Sequence, residues 1–475
     1  MKNKSIWDTK KKKYPKLNKD IEIDVLIIGG GITGISTLYH LIGKNLKVCL
    51  VERNKLCMGV TSKTTGKLTY LQDNIYSKLK LYHGYDKTKL YLESQIYAIK
   101  LVKNIIKKEN IECNLEKVSS YIFSNNKYKL NKEKKLLKSF GIDIKTSNKL
   151  PNNYKTNALY VNDTYVFHPL KYLYKLSEIC YQNKLDIYEN TNIISIKKCN
   201  DYYICKTDNN TIKTKYVVCA MHYPYFTIPF FTPLKSWLEK SYIKAYKVDN
   251  NKLYSSINID SNTISTRYYE DNDIYKLYLT NSHNLAFKNN DINNFSTLID
   301  DNTLYVWSNK DIITNDLLPY IGKIDNNFLI AFGYNTWGMT NGSLAGEIIK
   351  DIILNKKNKY ALLFNPNRSI NIGKIINTPL ILFSNIYSFI KSKFIYKSWY
   401  SNVRFEEIDG KKVGIYKDEL GIEHIVYNLC PHLKCSLIFN EVEKTWDCPC
   451  HGSRFDIDGN VIEGPSNYSI TYKKS

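Results

Sequence analysis

The chain has 475 residues and a formal net charge of +23, with 43% hydrophobic and 24% charged residues. At roughly 150 residues per domain this length predicts about three domains, and the apolar content is enough for full cores, which excludes global disorder. Only five of the 68 basic residues are Arg (Arg53, Arg267, Arg368, Arg404 and Arg454), and the Lys is dispersed among abundant Asn, Ile and Tyr, so the charge reads as a solvated surface and argues against a nucleic-acid partner.

The stretch 1–20 is basic and polar and lacks the apolar core of a secretory signal. Of the eleven cysteines, Cys49, Cys57, Cys113, Cys180, Cys199, Cys205 and Cys219 are scattered without a secreted-type framework. This usage predicts a reducing, cytoplasmic setting.

Asp24–Ile28 is a short apolar run that reads as a buried parallel strand. It enters Gly29-Gly-Gly31-Ile-Thr-Gly34, then a helical pattern to Leu41, then a second apolar run, Lys47–Val51, ending at Glu52. Strand, GxGxxG, helix, strand and acid in this order describe a dinucleotide site. Gly29 permits the tight turn, Gly31 lets the backbone approach the pyrophosphate, and Gly34 lets helix and strand pack closely. The helix N-terminus faces the phosphate anion, and Glu52 accepts from the adenosine ribose. The alternative is a Gly-rich turn without a ligand. No second GxGxxG follows, which argues against a separate NAD(P)H site.

Beyond Glu52 comes Gly59-Val-Thr61-Ser62-Lys-Thr64-Thr65-Gly66-Lys67-Leu-Thr69. This hydroxyl-rich loop resembles the flavin-contact loop of the D-amino-acid oxidase-like superfamily. The resemblance implies FAD as the dinucleotide, with Thr61, Ser62 and Thr65 among its contacts. Hydroxyls and backbone N–H groups there hold phosphates without full charges. Further along, Val166-Phe-His168-Pro169 opens a helical stretch, Leu185–Ile196 reads as a strand pair and Tyr202–Cys219 as alternating strands. Tyr216–Pro224 resembles the return to the flavin domain, and Ile193 falls where the superfamily contacts adenine. The strand-rich stretch Trp237–Leu304 is expected to form most of a substrate-domain sheet. Asp316–Gly322 and Phe328–Thr340 resemble the second flavin segment. That likeness puts Gly333, Gly338, Met339 and Thr340 by the cofactor and a helix over Gly342–Ile353.

Catalytic candidates are fewer. Arg267 is the scarce Arg of the substrate region; it reads either as a bidentate clamp on a substrate carboxylate or as a structural salt bridge. His283 and His222 are acid/base candidates, against the ordinary structural role of a lone His. Trp307, Asp311 and Tyr334 are weaker candidates. Leu380–Ile390 (LILFSNIYSFI) is too short and too polar to span a bilayer. It reads as a buried or amphipathic linker helix and leaves surface attachment to a membrane open.

The C-terminal region carries Cys430-x-His432, fifteen residues, then Cys448-x-x-His451. Two thiolates and two imidazoles are the ligand set of a Rieske [2Fe–2S] centre, in which two His replace two Cys on one iron. Zinc also takes Cys₂His₂, but it favours loops of paired Cys and paired His rather than two mixed loops. The segment, down to the run CPCHGSRF, resembles the Rieske family. In its high-potential members a disulfide ties the two cluster loops, and its cysteines match Cys435 and Cys450. Two positions depart from the family pattern: Lys434 stands where Gly is usual, and Phe455 where respiratory members carry Tyr. Ser453 is retained as a hydrogen-bond donor to the cluster. Without the Tyr hydroxyl the potential is expected below that of respiratory Rieske proteins. Gly464-Pro465-Ser466 resembles the loop that covers the cluster.

The expected fold is therefore an α/β Rossmann-like FAD-binding domain with an interleaved β-rich substrate domain, plus a small all-β Rieske domain. The oxidoreductase part spans 1–368. Its FAD-binding pieces are about 20–75, 155–230 and 310–360, and its substrate-domain pieces about 76–154 and 231–309. A linker helix covers 369–395 and the Rieske domain 396–475. The resemblance implies a flavoenzyme that oxidises a small amine, amino acid or related substrate. It would exchange single electrons through the cluster with an outside acceptor or donor, in either direction. The alternative is a non-enzymatic redox sensor or scaffold with a degenerate flavin domain.

Overall fold

The computed structural model describes residues 2, 4–224, 232–249, 252–260, 263–282, 298–394, 401–441 and 443–473. His283 lies outside the described residues.

Among them, a sheet with a parallel centre and antiparallel edges forms the nucleotide-binding layer. Its order is Tyr320–Asp325, Phe328–Phe332, Thr211–Cys219, Ile21–Ile28, Val48–Val51 and Asp186–Tyr188, and the hairpin Ser195–Cys199/Tyr202–Lys206 extends from Thr211–Cys219. Ile21–Ile28 is central, parallel to Thr211–Cys219 on one side and to Val48–Val51 on the other. Its last four residues, Val25 to Ile28, are buried on both faces, as a run without polar alternation requires. Helix Ile32–His40 packs on Gly338–Ile353, and a Cβ on Gly346 would stand 2.6 Å from the Ser36 backbone, so two helices far apart in sequence cross closely.

The second layer is a mixed nine-stranded sheet in the order Tyr305–Thr314, Ser236–Lys247, Ile274–Ser282, Ile264–Glu270, Tyr254–Asn258, Glu116–Ser124, Lys155–Val166 and Lys67–Leu68, with Lys145–Lys149 on the side of Lys155–Val166. Lys155–Val166, grouped by sequence with the FAD-binding pieces, belongs instead to this sheet, antiparallel to Glu116–Ser124. Its mixed burial, with exposed Asn162 and Asp163, suits a sheet with one wet face and not the doubly covered parallel layer. Tyr305–Thr314 likewise runs through the expected 309/310 boundary as one strand. Lys155–Val166 leads into helix Pro169–Gln182, where His168 caps the first turn by accepting from Lys171 N (3.1 Å) and Pro169 takes the position that needs no donor.

Helix Ile372–Phe394 leads on toward the C-terminal domain. That domain comprises a three-stranded sheet (Val403–Ile408, Lys411–Lys417, Glu423–Tyr427) and a four-stranded one (Ile438–Asn440, Thr445–Asp447, Arg454–Phe455, Val461–Glu463). Its core is built on Trp446, fully buried against Phe439 and Phe405. Gly414 admits this ring: a Cβ there would lie 2.5 Å from it.

Candidate flavin and cluster site

Strand Ile21–Ile28 delivers Gly29 at φ +112°, where a Cβ would stand 2.6 Å from Ala220 O. A Cβ on Gly34 would stand 1.9 Å from Gly29 O, so turn and helix meet with no room for a side chain. Gly31 precedes helix Ile32–His40, whose first N–H is bonded to the Thr61 hydroxyl (Ile32 N to Oγ1, 3.2 Å). Glu52 accepts from Gly30 N and Asn54 N, both at 2.8 Å. Burial pushes its pKa up against these two bonds. A carboxylate has about four acceptor positions, so two remain for ribose hydroxyls.

The loop after Glu52 is tied from behind by three side chains. Trp307 Nε1 donates to Lys63 O (2.9 Å), Trp7 Nε1 to Thr64 O (2.6 Å), and Arg267 Nη1 to Thr65 O (2.5 Å) and Gly66 O (3.1 Å). Arg267 is 1% exposed and stacks against Trp7 and Tyr269, with ring centroids 4.9 and 5.6 Å away. The structure thus uses this guanidinium to hold the loop's carbonyls, and Arg267 does not line the cavity.

One cavity of about 270 Å³ runs along these elements. Gly29, Gly31, Glu52, Thr61, Thr65, Ile193, Gly333, Gly338 and Met339 line it together. Gly34 sits behind the turn. Ser62 caps its own turn by donating to Gly59 O and Met58 O, and Thr340 bonds Gln95 Oε1 at 2.7 Å in the buried core. Met221, His222, Asp311 and Tyr334 also line the cavity. Trp337 Nε1, Asn309 Oδ1 and the Tyr223 hydroxyl are buried in its wall without a hydrogen-bond partner. Orphaned polar atoms around a glycine cradle fit a bound cofactor that completes them.

Sequence reasoning missed two parts of the wall. One is the substrate-sheet face formed by Lys67, Ser241, Ile257, Ser265 and Leu279. Lys67 Nζ donates to Ser265 Oγ (2.5 Å) and Ser256 O (3.0 Å), and burial with the nearby Arg267 charge brings its pKa down to about 7. Its place in the loop just after Gly66 was the available signal. The other part is Ile462, Glu463 and Gly464, contributed by the C-terminal domain. Nothing local in the sequence announces that contact.

In the C-terminal domain two hydrogen-bonded turns present the metal candidates. Lys434 N donates to Cys430 O (2.9 Å) and Gly452 N to Cys448 O (3.0 Å). Lys434 adopts φ +58°, which accounts for Gly being usual there; the side chain costs about 1 kcal/mol of strain. The thiols of Cys430 and Cys448 are adjacent, and the rings of His432 and His451 stand 5.1 Å apart at 88°. Cys435 and Cys450 form a disulfide, and its sulfurs lie within 4.8 Å of Cys448 Sγ. His451 Nδ1 is buried without a partner. A thiol pair beside an imidazole pair fits a [2Fe–2S] cluster. Ser453 lies beside Cys430 and accepts from Ser466 N (3.0 Å), tying the covering loop to the neighbourhood of a ligand.

The two domains meet through buried charge. Glu443 pairs with Arg454 (2.9 Å) and Lys240 (3.5 Å) and accepts from Ser308 Oγ (2.6 Å). Lys310 faces Asp447 (3.7 Å) and donates to Gly452 O (3.2 Å), beside His451. Lys63 and His222 approach Glu463 at 4.0 and 3.9 Å. Burial pushes the Glu443 carboxyl up, but Arg454 and then Lys240 outweigh it and hold it well below the usual range.

A family model described as FAD dependent oxidoreductase matches residues 24–248, and one described as Rieske [2Fe-2S] domain matches 399–472. A Bacillus subtilis (strain 168) protein named as a Rieske 2Fe-2S iron-sulfur protein, YhfW, is 32% identical over 95% of this chain and 94% of its own length. The chain belongs to the FAD-dependent oxidoreductases that carry a C-terminal Rieske domain. Its cofactors are FAD and a [2Fe-2S] cluster. Gamma-glutamylputrescine oxidoreductase of Escherichia coli (strain K12) is 20% identical over 80% of this chain and 95% of its own. The crystal structure of glycine oxidase from Geobacillus kaustophilus matches with a TM-score of 0.60 at 15% identity, covering 74% of this chain and 99% of that one, a likeness of fold.

Proposed function

We propose that this oxidoreductase oxidises a small amine, amino acid or related substrate and exchanges single electrons with an outside partner through the Rieske domain. When bound, FAD supplies a two-electron acceptor for a C–H bond beside nitrogen, and the cluster passes electrons one at a time. The observation that carries the reading is the shared wall: Ile462 to Gly464 of the Rieske domain line the same cavity as Gly29, Glu52 and Met339. The glycine cradle and Glu52 bind and orient the cofactor's adenosine and phosphate groups. Lys67, whose Nζ is held between Ser265 and Ser256, is the group best placed to receive a substrate carboxylate. Asp311, which burial first and then Glu239 and Glu463 raise to about 7, is placed to take the amine proton. The seven cysteines outside the Rieske domain form no disulfides, which supports a reducing cytoplasm.

The test is anaerobic titration of the purified protein with a panel of amines and amino acids, following flavin bleaching and the EPR signal of the reduced cluster together. Both should respond to the same compound. Flavin bleaching without any cluster signal would reject the electron route, and no bleaching by any amine would reject the substrate class. Lys67→Met should raise KM for carboxylate-bearing substrates roughly 10- to 150-fold, the worth of a charged hydrogen bond, and spare simple amines. His432→Ser and His451→Ser should each abolish the Rieske-type EPR signal while FAD stays bound.

A further inference from the structure

Helix Ile372–Phe394 is packed inside out. Apart from buried Ile381, the side it lays on the protein is small and polar: Asn377 Nδ2 donates to Asn315 O (2.8 Å), Thr378 Oγ1 accepts from Asn315 Nδ2 (2.9 Å), and Asn385 Nδ2 donates to Pro233 O (2.9 Å). Gly373 meets the Tyr82 ring, and Ser388 and Ser392 are 7% and 1% exposed. The side turned to solvent is apolar. Ile375, Ile376, Leu380, Leu382, Ile386 and Ile390 are 64%, 47%, 58%, 46%, 50% and 52% exposed. A water-facing helix normally shows the opposite distribution. Residues 375–390 contain no charged side chain, so the bare face runs for roughly 24 Å at 1.5 Å per residue.

Charge at the rim of this face is mostly cationic; Asp316, which pairs with Lys374 at 3.9 Å, is fully buried, and Asp73 stands 4.0 Å from Lys78. Lys374 marks one end, with Lys87 and Lys235 close enough to depress its pKa after burial and Arg368. Lys391 marks the other end, and exposed Lys78 and Lys80 lie on the adjoining helix Ile75–His83. The helix has no Asp or Glu. No helix among the described residues is long and apolar enough to cross a membrane.

We infer that this helix lies flat in the surface of an anionic lipid bilayer and attaches the protein as a peripheral, non-spanning membrane protein. An apolar face edged by lysines is the pattern of an interfacial helix, in which apolar side chains enter the acyl boundary and the cations meet headgroup phosphates. A second copy of the chain fits less well, because a two-fold contact through this helix sets lysine rim against lysine rim.

The test uses the full chain with both cofactors and two vesicle types, phosphatidylcholine alone and phosphatidylcholine with phosphatidylglycerol. The wild type should co-sediment with the anionic vesicles and at least tenfold less with neutral ones. The variant Ile376→Glu/Leu380→Glu/Ile386→Glu should lose at least tenfold in binding and keep its flavin and cluster absorbance, since all three positions are exposed. The milder Leu380→Ala/Ile386→Ala should fall between the two if the charged variant proves unstable. Failure of the wild type to bind anionic vesicles, or undiminished binding by both variants, overturns the inference. So does a wild-type dimer that binds no vesicles and that the variants split, by light scattering, which would assign the face to a second copy.

Discussion

Glu443→Gln tests whether the buried ion network holds the Rieske domain against the flavin domain. The substitution keeps the shape and removes one of the negative charges facing Lys240 and Arg454. Breaking a buried pair by deleting one partner costs about 3–5 kcal/mol, and Gln can still accept from Ser308, so about 3 kcal/mol is expected. At 1.4 kcal/mol per decade this makes opening of the interface roughly a hundredfold more frequent. Hydrogen exchange of the peptide covering Ser236–Lys247 should accelerate by that factor, while the central strand Ile21–Ile28 stays protected. Transfer between flavin and cluster, followed by stopped-flow absorbance, should slow in parallel. Lys240 keeps Asp447 at 3.7 Å in this variant, so adding Lys240→Met, which removes one of the two cations facing Glu443, should restore part of the loss. The pH dependence has a fixed sign. The folded pKa of Glu443 is held below its ordinary 4.5 by Arg454 and Lys240, so its stabilisation is present above about pH 4.5 and fades as pH falls below that. Unchanged exchange and unchanged transfer in Glu443→Gln would show that the network does not hold the domains together.

Gly34→Ala places a methyl 1.9 Å from Gly29 O and should yield folded protein largely without flavin, read from the 450 nm to 280 nm absorbance ratio. If the Ser453 hydroxyl beside Cys430 donates to a sulfur of the bound cluster, Ser453→Ala should lower the cluster potential by roughly 20–65 mV in redox titration, at about 0.5–1.5 kcal/mol per hydrogen bond and one electron. If Asp311 takes the substrate proton, kcat/KM should rise through about pH 7, and Asp311→Asn should flatten that limb while leaving the flavin spectrum intact.

The parts of the site legible in sequence are those set by local backbone demands. Gly29 and Gly34 are read from spacing because the turn at φ +112° and the 1.9 Å approach leave no alternative residue. The Cys and His pairs are read for the same reason, each loop being a short turn closed by its own backbone hydrogen bonds. Arg267 shows where this ends. Its scarcity suggested function, yet what it does depends on Trp7 and Tyr269, which reach it only in three dimensions. Helix Ile372–Phe394 was visible as a helix, but periodicity does not tell which face turns inward, and here it is the polar one. Lys155–Val166 pairs with Glu116–Ser124 in the second layer, which the sequence does not announce because strand identity is readable and strand partner is not. The shared wall at Ile462–Gly464 is a product of docking and leaves no trace in the residues themselves.

That shared wall imposes an order on biogenesis. The flavin half leaves the ribosome first, with Lys63, Lys240 and Lys310 hydrated and without their counterions. Those partners arrive only with the last part of the chain, and Gly452, which bonds Lys310, belongs to the turn that presents His451. A C-terminal domain whose turns are unformed offers no matching surface. The flavin chamber is therefore closed only once the last-made part of the chain has folded against it.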